Sequence, residues 1–190
     1  MIQEELRKQT TSAHQQLEKL VVARLKLIRS NQDYANLLKI FYAYFNRLEE
    51  AIKPYISAEV LPDYADRRHA VSLANDIVSL GSSLTKLPKV SVPVIDSTIK
   101  ALGALYVMEG SIMGGTIIIQ MLAKHGLTEG VSFFRGYGSE TGAKWASFAS
   151  VLDRYIHTDF GQDAIESANQ TFSNFANVFQ QYENRNLQLG

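Results

Sequence analysis

Apolar residues recur along this chain every three or four positions, in stretches too long for strands. Over residues 4–29, Leu6, Thr10, Ala13, Leu17 and Leu20 fall on one face of a helix. The stretch SNQD (30–33) supplies capping side chains. A second stripe, Tyr34, Leu37, Leu38, Phe41, Phe45, Leu48 and Ile52, then predicts a helix from about Tyr34 to Tyr55. Pro62 interrupts before a third helix, about 66–80, which Gly81 stops. A proline-bearing connector, TKLPKVSVP (85–93), leads to a strongly apolar helix over about 94–125, ending at Gly126. A glycine-dense loop (126–142) precedes a helix at about 140–156. The last helix, Asp163 to about Tyr182, carries Ile165, Ala168, Phe172, Phe175, Phe179 and Tyr182. No stretch reads as a strand, a repeat or low complexity. The pattern predicts an all-α bundle of about six helices, one domain spanning residues 1–190.

One of these helices is built against its own interest. ALYVMEGSIMGGTIIIQML (104–122) is apolar almost throughout, yet it holds Glu109, Gly110, Gly114 and Gly115. Each interior glycine costs about 1 kcal/mol relative to alanine. At 100° per residue Gly103, Gly110 and Gly114 lie near one face, with Gly115 beside them. Such a bare face serves either close packing against a neighbouring helix or the approach of something flat and bulky, and it lets the helix kink.

Composition narrows the chemistry. Nineteen basic and nineteen acidic residues cancel, so no general basic field favours nucleic acid or an anionic membrane, and the basic cluster DRRH (66–69) reads as a solvated face. There is no cysteine, which removes disulfides, thiolate metal sites and a cysteine nucleophile and is compatible with a cytoplasmic location. The charged start, MIQEELRKQTTSAHQQLEKL, has no apolar signal core. Residues 101–123 have the length of a membrane span, but Glu109 near the centre argues for a core helix instead.

The first helix offers a complement to the bare face. His14 sits at the margin of the apolar stripe, and Arg7 lies seven residues earlier, so the two point nearly the same way, about 10 Å apart along the axis. An imidazole at a core edge can ligate a metal, and a guanidinium two turns away can meet a carboxylate of the same ligand. Either residue alone is ordinary. Together with a helix of bare backbone they describe a sandwich for a planar metal–organic ligand with acidic arms, which is haem.

Three ordered motifs then carry a resemblance. LRKQTTSAH (6–14), ALYVMEGSIMGG (104–115) and FFRGYGSETGAKWASF (133–148) resemble the first helix, the distal helix and the following segment of the biliverdin-producing haem oxygenases. The likeness is strongest to the bacterial branch often found beside bacteriophytochromes, and it spans residues 5 to about 180. It implies an all-α fold with a kinked distal helix. It also implies oxidative opening of haem by O₂ and a reductant to biliverdin, CO and Fe²⁺. Under the resemblance His14 is the iron ligand, Arg7 a propionate partner and Thr10 part of the binding helix. Gly110, Ser111 and Gly114 become the distal backbone at the reacting face, with Gly115 beside them. An electron donor such as a ferredoxin with its reductase, a monomeric state and a bacteriophytochrome as recipient of biliverdin are further expectations. A haem carrier or sensor on the same fold is the competing reading.

Two positions depart from relatives. Animal members place an aspartate where this chain has Ser111, so water ordering on the distal side must differ. Positions where some members hold basic residues for the propionates look like Ala146 and Ser150 here, which leaves Lys144 and Arg154 as substitutes. Glu109 is expected to give structural support, either by pairing with a buried base or by hydrogen-bonding near the pocket, and Tyr137 and Trp145 to fix loop and packing. Asp66 and His69 have the spacing of a di-iron half-site without a second half, and His125 and His157 fall near helix ends.

Overall fold

The computed structural model describes residues 2–156 and 161–188, with side chains as far as Tyr182; His157 and its neighbour Asp159 lie outside the described residues. Long helices dominate: α1 (Ile2–Leu27), α2 (Asn31–Ile52), α3 (Val71–Ser79), α4 (Thr98–Gly110), α5 (Gly115–Ala123), a single turn α6 (Ser132–Arg135), α7 (Thr141–Tyr155) and α8 (Gly161–Gln188). The six expected helices are present, the glycine-rich one as α4 and α5 in tandem.

Local chemistry sets the boundaries. Ser30 caps α2 by accepting from the Asp33 amide, and Ser97 does the same for α4 through Lys100. The second cap moves the start of α4 to Thr98, later than the apolar pattern beginning near 94 suggests. The third helix likewise starts at Val71, not near 66, because side chains have taken its would-be first amides. Arg68 N donates to the Tyr137 hydroxyl oxygen and Ala70 N to Glu49 Oε1, so the chain there stays irregular. The loop at 126–142 contains α6, which the sequence does not announce. The Asp76 carboxylate accepts from the amides of Ser132 and Phe133 and from the Ser132 hydroxyl, holding that turn onto α3.

α8 packs along both α1 and α4 and forms the spine of the bundle. At its heart Phe41 of α2 meets Phe134, Phe175 and Phe179 edge-on at 5.4, 5.1 and 5.9 Å, while Tyr44 stacks on Phe175 at 4.5 Å. Each fully buried aromatic contributes roughly 2–3 kcal/mol of transfer free energy. The Tyr44 hydroxyl donates to the Thr171 carbonyl, so the ring's polar end is also satisfied. α1 continues past this core to lie against α5 and α7. That placement brings the first and third sequence motifs to the glycine-rich helix.

Candidate functional site

The glycine-rich helix changes its winding where the glycines cluster. It is α-helical to Gly110, tightens into a 3₁₀ turn over Ser111–Gly114 and resumes as α5 at Gly115. The glycines do not form one bare face; they divide into two pairs with different uses. A Cβ on Gly103 would land on the carbonyl of Ala164 in α8, and one on Gly115 on the carbonyl of Phe134 in α6. These two are bare so that backbone can meet backbone. A Cβ on Gly114 would meet nothing within 4 Å, and one on Gly110 only the edge of the Trp145 indole at 3.9 Å. Gly110 and Gly114 therefore keep space open, whereas Gly115, expected beside them, spends its bareness on Phe134.

Behind this helix lies a buried polar network. Arg67 Nη1 donates to Glu109 Oε2 at 2.6 Å, its Nε to Asp63 Oδ1 at 2.9 Å and its Nη2 to the Lys144 carbonyl at 3.1 Å. The Tyr137 hydroxyl donates to the Glu109 carboxylate, and burial together with Glu109's charge pushes that phenol up to about 12, so it keeps its proton. Arg68 Nη2 donates to the Met108 carbonyl at 2.6 Å and to Ser111 Oγ at 2.7 Å, while its Nη1 reaches the Phe133 carbonyl at 3.3 Å. Its guanidinium lies 3.9 Å over the Phe133 ring, its Nε has no partner, and burial pulls it down to about 10. It remains charged at neutral pH. Ser111 Oγ itself donates to Met108 O at 2.6 Å, so its hydroxyl is held at the winding change.

Two arginines in DRRH thus turn inward, and the reading of that cluster as a solvated face is corrected. The sequence held a signal for it: Glu109 in an apolar helix needs a buried cation, and Arg67, 4% exposed, is that cation. Lys144 is also spent, its Nζ 2.8 Å from Asp63 Oδ2. Arg154 donates to the Val60 carbonyl and lies over the Tyr155 ring. His69 faces Glu49 and the Tyr64 carbonyl rather than Asp66, and among the described residues no group of three or more acids and histidines could hold a metal ion.

The opposite wall is sparse. His14 is exposed on α1, has no hydrogen-bond partner among the described residues and touches Phe172 of α8, ring to ring, at 5.4 Å. Arg7 is exposed and unpaired among the described residues. Thr10 is buried, its hydroxyl donating to the Leu6 carbonyl at 2.7 Å, so its donor serves the helix itself. Tyr106, half-buried on α4 one turn before Gly110, is held above its ordinary value by burial, with Thr10 and Arg7 opposing, which puts α1 beside the distal helix. Phe172 is buried in the core like Phe175 and Phe179 but also meets His14 at its edge. A cavity of about 750 Å³ lies elsewhere, between α2, the 81–89 connector and α8, and contains none of these residues.

α1 thus carries an imidazole and a guanidinium free of hydrogen bonds and ion pairs among the described residues, and the glycine-rich helix it packs against carries a stretch of backbone kept free of side chains. That donor set fits a haem, with a neutral nitrogen for iron, a cation for an acidic arm and room for a small molecule on the far side. Comparison with known proteins decides the family: the heme oxygenase family model matches residues 1–181. The chain belongs to the haem oxygenase family. A heme oxygenase of Xanthomonas campestris pv. campestris (strain 8004) is 29% identical over 145 residues, 75% of this chain and 86% of that protein. Heme oxygenase PigA of Pseudomonas aeruginosa is 26% identical over 175 residues, covering 90% and 87%. The NO- and CO-bound heme oxygenase from Neisseria meningitidis superimposes with a TM-score of 0.80 at 22% identity, over 95% of this chain and 91% of that one, which shows the shared fold. All three relatives are bacterial. The apolar stretch Thr98–Ala123 contains an 18-residue window of mean hydropathy 1.5, half of which is buried within the protein.

Proposed function

We infer that this chain is a haem oxygenase that opens protohaem with O₂ and a reductant, giving biliverdin, CO and Fe²⁺. The observation that carries the reading is the open backbone at Gly110 and Gly114, in a helix whose other glycines are filled by neighbours. Bound haem supplies the iron that takes up O₂ and is itself the molecule consumed. His14 is the residue that would hold the iron, since no hydrogen bond among the described residues occupies its ring nitrogens. Arg7 would meet one propionate; with Lys144 committed to Asp63, α7 offers less anchoring than the sequence suggested. Thr10 supports this helix from within. Gly110, Ser111 and Gly114 form the distal wall, where Arg68 and the Met108 carbonyl fix the Ser111 hydroxyl as an orienting point for water. Gly115 keeps that wall in place through its contact with Phe134.

Ring opening consumes electrons, which we assign to an external donor such as a ferredoxin with its reductase. We place the protein in the cytoplasm as a monomer, delivering biliverdin to an acceptor such as a bacteriophytochrome. The test is a haem titration of the wild type and His14→Ala, followed by a ferredoxin–reductase pair or ascorbate under air. One-to-one binding, a Soret shift lost in the variant and biliverdin from the wild type alone are expected. Tight binding without ring opening would make the protein a carrier or sensor, and absence of specific binding would overturn the reading.

A further inference from the structure

Glu109 precedes Gly110, and Lys144 precedes Trp145; one side chain holds both pairs. The Arg67 guanidinium donates to the Glu109 carboxylate at 2.6 Å and, with its other terminal nitrogen, to the Lys144 carbonyl at 3.1 Å. The fork is planar and stiff, so it fixes the separation between the end of α4 and the first turns of α7. Asp63 closes the frame by accepting from Arg67 Nε at 2.9 Å and from Lys144 Nζ at 2.8 Å, which resists rolling of α7 about its own axis. The product of that frame is the position of Trp145. Its indole edge stands 3.9 Å from where a Cβ of Gly110 would be, in ordinary van der Waals contact. Tyr106 and Phe148 flank it at 5.8 and 6.0 Å. No hydrogen bond tethers the indole among the described residues, so its place is set by the backbone beneath it.

The open wall is consequently lopsided. Beside Gly114 there is nothing within 4 Å, and beside Gly110 there is an aromatic ring. We propose that Trp145 is a specificity-determining wall of the haem site, and that Arg67 is the positioning residue setting its distance from Gly110. The proposal rests on the haem oxygenase reading and deepens it. A diatomic molecule on the distal side finds room toward Gly114 and is excluded on the Trp145 side, so oxidation is directed to one meso edge of the macrocycle. Selectivity then arises from the wall as well as from how the propionates are anchored, which matters in a chain where Lys144 is already committed.

Trp145 is the sole tryptophan, so its fluorescence reports this contact directly. In the haem-free protein, Arg67→Lys keeps the charge but loses the fork, and Lys144→Gln loses the ion pair with Asp63 and the cation's approach to the Tyr137 ring. Both are expected to red-shift Trp145 emission and raise its quenching by acrylamide, with far-ultraviolet circular dichroism still helical. The second variant keeps the test valid should the first fail to fold. In the wild type, haem titration quenches Trp145 one-to-one and turnover gives predominantly one biliverdin isomer. Trp145→Ala lowers the ratio of major to minor isomers by roughly tenfold, and Lys144→Gln shifts it in the same direction. An unchanged isomer ratio in Trp145→Ala, with haem bound and opened, overturns the wall. Unchanged emission and quenching in both frame variants overturns the positioning role. If haem fails to quench the wild type at all, the haem reading falls and takes the wall with it, while the haem-free fluorescence still decides the positioning role by itself.

Discussion

The two sides of the proposed haem site are organised by opposite rules. On α1, His14 and Arg7 stand exposed with no hydrogen bond or ion pair through their side chains among the described residues, His14 resting against the Phe172 ring of α8. On the distal side, the six residues from Glu109 to Gly114 are braced from behind by Arg67, Arg68, Tyr137 and the α6 turn. In the proposed site the α1 side would gain its order from the ligand, whereas the network behind the glycine-rich helix is already formed without one. Preorganisation belongs where small differences in position decide the outcome, and a ligating imidazole needs only to be free to turn. Stability and binding should therefore separate cleanly between the walls.

The strongest way to break that contrast is at the brace. Arg67→Met leaves Glu109 buried without its cation and is expected to cost about 3–5 kcal/mol in chemical denaturation of the haem-free protein. His14→Ala, on an exposed helix face, should cost within about 0.5 kcal/mol in the same assay while abolishing the Soret shift. Equal costs for the two would mean the distal network is not the scaffold described here.

The glycines sharpen the contrast within a single helix. Gly115→Ala drives a methyl into the Phe134 carbonyl, a backbone atom that cannot swing aside, and should cost about 3 kcal/mol. Gly114→Ala meets open space and should be neutral or stabilising by up to about 1 kcal/mol, with haem turnover reduced because the methyl occupies the site. Denaturation midpoints and single-turnover haem loss on the same preparations check both. Matching stabilities would erase the distinction between packing glycines and site glycines.

How much of this was legible follows from the range of each interaction. Helix periodicity is local, so six helices and most of the core stripe, Phe41, Leu48, Phe175 and Phe179 among them, could be read from spacing alone. The motifs around His14, Gly110 and Gly114 were legible because odd residues in a regular pattern stand out. What spacing could not separate was the fate of glycines on one helical face, since Gly103 is filled by α8 and Gly115 by α6, elements far away in sequence. The inward turn of Arg67 and Arg68 was hidden for a related reason: charge in a short cluster looks solvated until the buried acid 42 residues away is matched to it. α6 depends on Asp76 in another helix and left no trace in the loop's own composition.

The smallest effect concerns pH. His69, at the edge of the distal scaffold, faces Glu49 Oε1 at 3.4 Å through Nδ1 and the Tyr64 carbonyl at 2.9 Å through Nε2. Both partners are acceptors, so only the doubly protonated ring satisfies both. The hydrogen bond to Glu49 holds its pKa above the ordinary histidine value against the opposing effect of burial. A raised folded pKa stabilises fully below the unfolded value near 6.5, and that stabilisation is lost as pH rises through the higher folded pKa. For a partly exposed pair the amount is below about 1 kcal/mol. Denaturation midpoints of the wild type and His69→Gln, compared at pH 5.5 and 8.5, should therefore differ more at the acidic end. A gap between wild type and His69→Gln that widens toward pH 8.5 instead would mean that the neutral ring is the one the scaffold holds, and the pairing with Glu49 would have to be redrawn.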